Sequence, residues 1–358
     1  MEKISLLGLE KNAIRKAFAE HGYEPWRANQ VWLWIYGDGA KLFDEMSNLP
    51  LSMRKELADK FAITRPDIVK HEFSSDGTEK IAIKMIDGDV VEMVFIPDEE
   101  RGTLCVSSQV GCPVRCSFCY TGTQGFSRDL TAAEIVGQIL LMRDLLADKG
   151  RCNQKRVLTN IVMMGMGEPL HNYSNVSTAL KIVMAPDGLA FSKRRITLST
   201  AGVVPLIQRC GEELGVNLAI SLHAANNKIR DSIMPINKQY PLEKLIEACR
   251  SYPGINQMRR LTFEYVMLSG VNDSDNDAKS LVRLVAGLPA KFNLIPWNPW
   301  PGASFQSSSQ SRMDSFAKIL MKAGYTAIVR IPRGRDISAA CGQLRTNWPL
   351  LTSGPKQA

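Results

Sequence analysis

The chain of 358 residues contains no run of 18 apolar residues, so no membrane-spanning helix is expected. Its first stretch, MEKISLLGLEKNAIRK, lacks the apolar core and cleavage site of a secretion signal, and the expectation is a cytoplasmic protein. Structural disulfides are disfavoured in a reducing compartment, which leaves metal binding, catalysis or burial for the eight cysteines. No internal repeat is visible, and low complexity is confined to FQSSSQS at 305–311, which reads as a flexible loop. Apolar content of 45% is that of a globular protein, and the length suffices for one large core plus a smaller accessory domain. A net charge of +8 points to an anionic partner, nucleic acid foremost.

The densest chemistry lies in GCPVRCSFC, residues 111–119, where Cys112, Cys116 and Cys119 are spaced by three and then two residues. A structural zinc site completes itself with a fourth ligand, commonly brought in a second pair, and no second pair follows. A cubane iron-sulfur cluster has four irons, each needing one outside ligand. Three thiolates leave one iron open to bind a substrate or cofactor.

Apolar spacing predicts helices at 9–21, 26–36 and 50–61, and EKIAIKMIDGDVVEMVFIP predicts a hairpin turning at Asp87-Gly88. From residue 103 strands alternate with helices. Strands are expected near 103–108, 157–164, 195–199, 216–222, 260–268 and 290–296, with a last one near 326–331. Helices are expected at 131–147, 174–184, 203–214, 241–251, 275–286 and 311–323. Six strand-helix units predict an α/β fold: a parallel sheet in a partial, open β/α barrel, short of the eight units of a closed one. The expected divisions are a helical accessory domain at 1–65, a hairpin linker at 66–100, the barrel at 101–345 and a tail at 346–358. In such folds the site lies at the C-terminal ends of the strands. The cysteine loop, MGMGEP, LSTAG, SLHAA and IPWNPWPG all follow strands, on that one rim.

The CxxxCxxC spacing after a first strand, with Phe118 between the last two thiols, resembles the radical S-adenosylmethionine enzymes, and MGMGEP resembles their Gly-Glu motif. More closely, CVSSQVGCPVRCSFCYTGTQGFSR, GMGEPLHNY, RRITLSTAGVVP, NLAISLHAANNKIRDSIMPIN, FEYVMLSGVNDS, NLIPWNPWPG and VRIPRGRDISAACGQL, in that order, resemble the bacterial 23S rRNA adenine C-2 methyltransferases.

That resemblance implies a radical S-adenosylmethionine type barrel and one 4Fe-4S cluster on Cys112, Cys116 and Cys119. It implies two S-adenosylmethionine molecules per turnover, held by Gly167, Glu168, Ser199, Ser221, Leu222, His223 and Asn298. Carbon 2 of adenine is electron-poor and does not attack a sulfonium methyl group by simple displacement. The family instead methylates a cysteine, matched here by Cys341, and abstracts a hydrogen from the S-methyl group so that the carbon radical adds to the ring. Cys105 matches the thiol that attacks Cys341 in a transient disulfide, which must be reducible and hence exposed and labile. Glu92 matches the base that removes the ring hydrogen. Taken singly, Cys341 reads as a small buried residue, Cys105 as a core-facing strand cysteine, Glu92 as a solvated hairpin carboxylate and His223 as a rim histidine; Cys152, Cys210 and Cys249 read as structural.

Implied partners are 23S rRNA, tRNA at the adenosine beside the anticodon, and an external electron donor such as flavodoxin. No membrane is involved, and a monomer is expected. RNA contact is expected from the N-terminal unit, whose Lys11, Arg15, Lys16, Arg27, Arg54, Lys55 and tryptophans could follow a phosphate backbone, and from the hairpin and the loop around Arg333. Lys193, Arg194, Arg195, Arg259 and Arg260 precede strands, at the far end of the barrel. Alternatives that share the motifs are methylation at carbon 8 of the same adenine, a radical enzyme acting on a small molecule or protein, and a non-enzymatic iron-sulfur protein that binds RNA.

Overall fold

The computed structural model describes residues 3–99, 101–147 and 156–346. Cys152 and the expected tail beyond residue 346 lie outside them.

The first elements are β1 (Ile4–Ser5), α1 (Lys11–Glu20), α2 (Arg27–Trp32) running on as a π-helical turn at Leu33–Asp38, α3 (Leu51–Lys60) and β2 (Phe61–Ala62), which pairs in parallel with β1. Ile14, Phe18, Val31, Ile35 and Leu57 recur at helical spacing and are fully buried, each contributing about 1.5–3 kcal/mol of transfer energy. Gly39, at φ 81°, ends the π-turn in the left-handed conformation that glycine adopts without strain.

Then follow β3 (Asp67–Phe73), β4 (Glu79–Lys84), β5 (Val90–Asp98), β6 (Arg101–Cys105), β7 (Gln109–Gly111), α4 (Tyr120–Gln124), β8 (Phe126–Asp129), α5 (Ala132–Leu145), β9 (Asn160–Met163), α6 (Tyr173–Met184), β10 (Ile196–Thr200), α7 (Val204–Glu213) and β11 (Asn217–Ser221). The chain continues through α8 (Asn227–Ile233), α9 (Leu242–Arg250), β12 (Leu261–Met267), α10 (Asp275–Leu284), β13 (Ala290–Pro296), α11 (Gln310–Lys322) and β14 (Thr326–Val329). One ten-stranded sheet runs β14-β13-β12-β11-β10-β9-β6-β5-β4-β3. From β6 to β14 neighbours are parallel; β5, β4 and β3 join antiparallel. The alternation of strand and helix is as the periodicity predicts, but three features differ. The hairpin gains a third strand, β3, and is hydrogen-bonded to β6, so it extends the barrel sheet. The short α4 and α8 have too few residues for a periodic signal. The Ser-rich 305–311 is pinned, not loose: Ser307 bridges Leu268, Ser308 donates to Asp273 at 2.7 Å, and Ser309 caps α11.

The register sorts the strands into two faces. Val94, Cys105, Val162, Thr197 and Asn217 stand side by side, as do Ser199, Ala219, Thr262, Lys291 and Thr326, and Ser221, Glu264, Asn293 and Ile328. The residues that alternate with them, Leu104, Ile161, Leu198, Leu218, Phe263 and Phe292, are buried in the apolar core. One face is thus apolar and the other carries most of the polar groups. The sheet rolls so that its edges meet through the segment after β14. Gly334 N–H donates to Asp76 Oδ2 at 3.0 Å, Arg333 donates to the carbonyls of Asp76 and Pro97, and Ser74 Oγ donates to Asp336 at 2.5 Å. No helix among the described residues is long and apolar enough to cross a membrane.

Candidate active site at the rim of the sheet

Cys112, Cys116 and Cys119 occupy the half-buried loop between β7 and α4, close enough that charge on Cys119 and Cys112 raises the Cys116 thiol. Burial pushes Cys112 up to about 12, and Cys116 and Cys119 upward too. The loop is held from several sides. Phe118 O accepts both the Trp297 indole N–H at 3.0 Å and the Trp300 indole N–H at 3.1 Å. Tyr120 stacks on Trp300 and its N–H donates to Gly342 O at 2.7 Å. Ser117 N–H donates to Ile233 O. IPWNPWPG and SAACGQL are therefore bound directly to the cysteine loop.

Among the described residues no three Cys, His, Asp or Glu side chains converge on one ion position. Three thiols clustered in one loop fit a cubane, where each thiolate takes a different iron. Ligation by cationic iron would hold these thiols as thiolates against the burial that raises them.

MGMGEP leaves β9 pressed on the β6–β7 connection. A Cβ on Gly167 (φ 104°) would lie 2.6–2.8 Å from Gln109 and Ser108 atoms, and one on Gly165 2.7–2.8 Å from Ser107 and Val106. The Glu168 carboxylate, 3% exposed, accepts the N–H groups of Leu170 at 3.0 Å and Ala201 at 2.7 Å. Burial nevertheless raises it to about 7. A buried carboxylate beside the cysteine loop suits a cationic amino group.

Ser199 and Ser221 are half-buried on the polar face of β10 and β11; Leu222 is buried just past β11. His223 takes a left-handed φ of 57° and packs edge-on against Phe118, ring centres 4.7 Å apart. Its Nδ1 accepts the Val266 N–H at 2.9 Å, so the ring proton resides on Nε2. Burial and Arg230 lower it to about 3, which keeps it neutral. Asn298 Nδ2 donates to Cys341 O at 3.2 Å while Oδ1 accepts from Arg335 Nε at 3.2 Å.

Cys341 is exposed and Cys105 half-buried. Protein surrounding both sulfurs pushes each thiol up to about 12, and the Cys341 thiol lies within electrostatic reach of Cys105, Cys119 and Glu264. Residues 236 positions apart in the chain thus share one basin. Glu92 stands on the same strand face as Cys105, because Val94 is paired with Cys105 and Glu92 is two residues away. It is buried, not solvated: Lys80 Nζ lies 3.6 Å from Oε1 and the Arg345 N–H donates to Oε2 at 2.8 Å. Burial raises its proton affinity, which Lys80 and the Arg345 N–H partly offset.

Several residues inside the quoted stretches were not singled out. Arg230 is fully buried and donates to the carbonyls of Ala201 (2.7 Å), Leu222 (3.0 Å) and Ser221 (3.1 Å) and to Asn237 Oδ1 (2.9 Å), tying the ends of β10 and β11 together. Lys80 and Glu264 are charged positions on the polar face of buried strands, a signal visible in the alternation. Arg230 had no such signal, since a helical arginine ordinarily faces water. Cys210 and Cys249 are buried on α7 and α9.

The proposed RNA surfaces are partly spent on the fold. Arg54 donates to the carbonyls of Leu49, Asp44 and Ser47, Arg333 is committed to Asp76 and Pro97, and Lys11 pairs with Asp187. Trp32 is core and Trp34 half-buried, whereas Trp26 is 50% exposed with Arg27 stacked on it. Arg259 donates to the carbonyls of Gly215 and Val216, at the strand starts.

A rolled parallel sheet bearing a three-thiol loop after its first parallel strand defines a radical S-adenosylmethionine enzyme. Residues 106–282 match the radical SAM superfamily, and residues 4–63 match the ribosomal RNA large subunit methyltransferase N-terminal domain. The chain is 53% identical over 345 residues to dual-specificity RNA methyltransferase RlmN of Rhodospirillum rubrum, covering 96% of this chain and 81% of that one. It is 55% identical to the RlmN of Rhizorhabdus wittichii, covering 96% and 87%. A crystal structure of a radical SAM methyltransferase from Sphaerobacter thermophilus superposes with a TM-score of 0.89 at 44% identity, over 96% of this chain and 99% of that one. The chain belongs to the dual-specificity RNA methyltransferase family. Its chemistry is S-adenosylmethionine-dependent methylation of RNA, with a 4Fe-4S cluster as the group that the radical SAM fold carries.

Proposed function

We propose that the protein methylates carbon 2 of an adenine in 23S rRNA and of the adenosine 3′ of the tRNA anticodon, using two S-adenosylmethionine molecules per turnover. Bound at Cys112, Cys116 and Cys119, the cluster with its S-adenosylmethionine supplies the radical that removes one hydrogen. Gly167, Glu168, Ser199, Ser221, Leu222, His223 and Asn298 hold that cofactor, Glu168 against its amino group. Cys341 receives the methyl group on Sγ and presents it as the S-methyl carbon that joins carbon 2. Glu92 Oε1 takes the ring proton. Once the adduct radical has given up one electron to the external carrier and the ring proton to Glu92, the Cys105 thiolate attacks Cys341 Sγ. The S–S bond forms as the S–CH2 bond breaks, and the electron pair leaves with the methylene carbon, which takes up a proton to become the methyl group of the freed RNA. An external donor such as flavodoxin, outside the barrel, supplies the two electrons that restore the thiols. The helical unit at 1–65 and the hairpin at 66–100 orient RNA over the barrel at 101–345. A cytoplasmic monomer suits this role.

The observation that carries the reading is the electrostatic proximity of Cys341 and Cys105 on a face that also bears Glu92. A structural or small-molecule role leaves that convergence of two thiols and a buried carboxylate unused. The test is mass spectrometry of nucleosides from 23S rRNA and tRNA treated with reconstituted enzyme and Cys341→Ala. 2-Methyladenosine from wild type alone supports the reading. 8-Methyladenosine, or 5′-deoxyadenosine without methylated RNA, overturns it.

A further inference from the structure

Beside the Cys341 loop lies a cavity of about 700 Å³ that adjoins the basin of thiols, since Arg330 of its wall lies within electrostatic reach of Cys341 and Glu264. Its volume is that of a small-molecule pocket. It opens between the first residue of α11, the end of β14 and the segment that closes the sheet, and Ser338 and Gln343 of its wall flank Cys341. Two arginines, Arg330 and Arg335, line it, and no carboxylate does among the described residues. Both are exposed. Arg335 commits only Nε, to Asn298, leaving the four N–H donors of its Nη groups uncommitted among the described residues. The neighbouring Asp336 is turned away, accepting from Ser74 Oγ and Ser75 N–H. Gln310 begins a helix of 13 residues, whose N-terminal dipole adds to the positive potential. The lining also holds apolar side chains, among them Trp297, Pro299 and the 84% exposed Ile331.

We propose that this cavity holds the nucleotide adjoining the methylated adenine, its phosphate on Arg330 and Arg335 and its base against the apolar side chains. The proposal rests on the RNA methyltransferase reading. Successive nucleotides are joined through one phosphate, so an adenine delivered to Cys341 brings its neighbour to the mouth of whichever cavity adjoins that loop. Arginine side chains in a lining without a carboxylate, Arg335 with its Nη donors uncommitted and Arg330 within reach of the deeper Glu264, combine with apolar side chains to give what a ribose-phosphate and base require. The chain Arg335, Asn298, Cys341 further links occupancy to the methyl-bearing loop.

The test compares wild-type holoenzyme, Arg335→Ala and Gln310→Glu. Readouts are affinity for a fluorescent stem-loop RNA carrying the target adenine across a salt series, and S-methylation of Cys341 without RNA by intact mass. Weakening of RNA binding by about tenfold in each variant, with the salt slope of Arg335→Ala reduced by about 1, is expected. Cys341 methylation stays at the wild-type level in Gln310→Glu. Unchanged affinity and slope overturn the proposal, as does weakening confined to Arg335→Ala with a parallel loss of Cys341 methylation, which assigns Arg335 to Asn298 alone. Adenosine monophosphate or inorganic phosphate that displaces the RNA when equimolar with it also overturns it, in favour of a free anion. An unmethylated Cys341 in wild type would instead strike at the methyltransferase reading itself.

Discussion

The Glu92 carboxylate accepts the backbone N–H of Arg345 at 2.8 Å, four residues beyond Cys341. A hairpin side chain thereby fixes the segment that carries the exposed cysteine. Thr121 Oγ1 donates to Leu344 O at 2.5 Å from the other side, and the Arg345 guanidinium lies 4.6 Å over the Tyr120 ring. The loop is clamped between the proposed base and the helix that follows Cys112, Cys116 and Cys119.

Replacing Glu92 by Gln retains an oxygen for the Arg345 N–H but removes the proton acceptor. The fold is expected to persist, methylated RNA to fall by about 10²-fold or more, and covalent protein–RNA adduct to accumulate on denaturing gels. Wild-type levels of released product would remove Glu92 from the reaction.

Because burial raises the Glu92 proton affinity and Lys80 opposes it, the pH profile of product release should rise through an inflection above the usual carboxylate range. Lys80→Met removes the opposing charge. The inflection then moves to higher pH, as read from single-turnover rates; an unmoved profile excludes this pairing.

Glu168 titrates near 7 in the fold against 4.5 for the free side chain. Between those values the folded state holds more protons than the unfolded one, so stability falls as pH rises and levels off above about 7. The loss is on the order of 3 kcal/mol. Urea titrations of the protein without cluster should show it, and Glu168→Gln should flatten it. Gln can accept only one of the two N–H groups, so the variant also loses about 1–3 kcal/mol at low pH.

Arg230→Met leaves three strand-end carbonyls and the Asn237 amide oxygen without their buried donor. Unfolding free energy is expected to drop by about 3 kcal/mol or more, with loss of S-adenosylmethionine affinity because the ends of β10 and β11 separate. Equilibrium denaturation and cofactor titration measure the two effects.

Gly167→Ala suffers twice, from φ 104° and from Gln109 and Ser108 atoms within 2.6–2.8 Å. Gly270→Ala, at φ 69° in open space, meets only the backbone penalty of about 1–2 kcal/mol. Thermal unfolding should rank them in that order, and only the first should impair cluster reconstitution.

Much of this molecule is written locally. Hydrophobic periodicity determines the strand-helix alternation because burial selects period two or 3.6 residue by residue, and the thiol spacing in GCPVRCSFC determines a three-ligand loop. Glycine, proline and capping residues mark the ends of elements in the same way. Long-range decisions are of another kind. That β3 extends the hairpin and that β5 pairs with β6 depend on edge hydrogen bonds between segments whose patterns are compatible with several neighbours. The burial of Arg230 depends on carbonyls at the ends of the neighbouring strands β10 and β11 and on Asn237 Oδ1 converging on one guanidinium. Glu92 reads as a hairpin carboxylate in sequence and becomes a buried clamp only because the rolled sheet brings Arg345 to it. Cys105 and Cys341 come within electrostatic reach for the same reason: register sets the face of Cys105 and closure of the sheet by residues 333–345 brings Cys341 to it, and neither is encoded within reach of either cysteine.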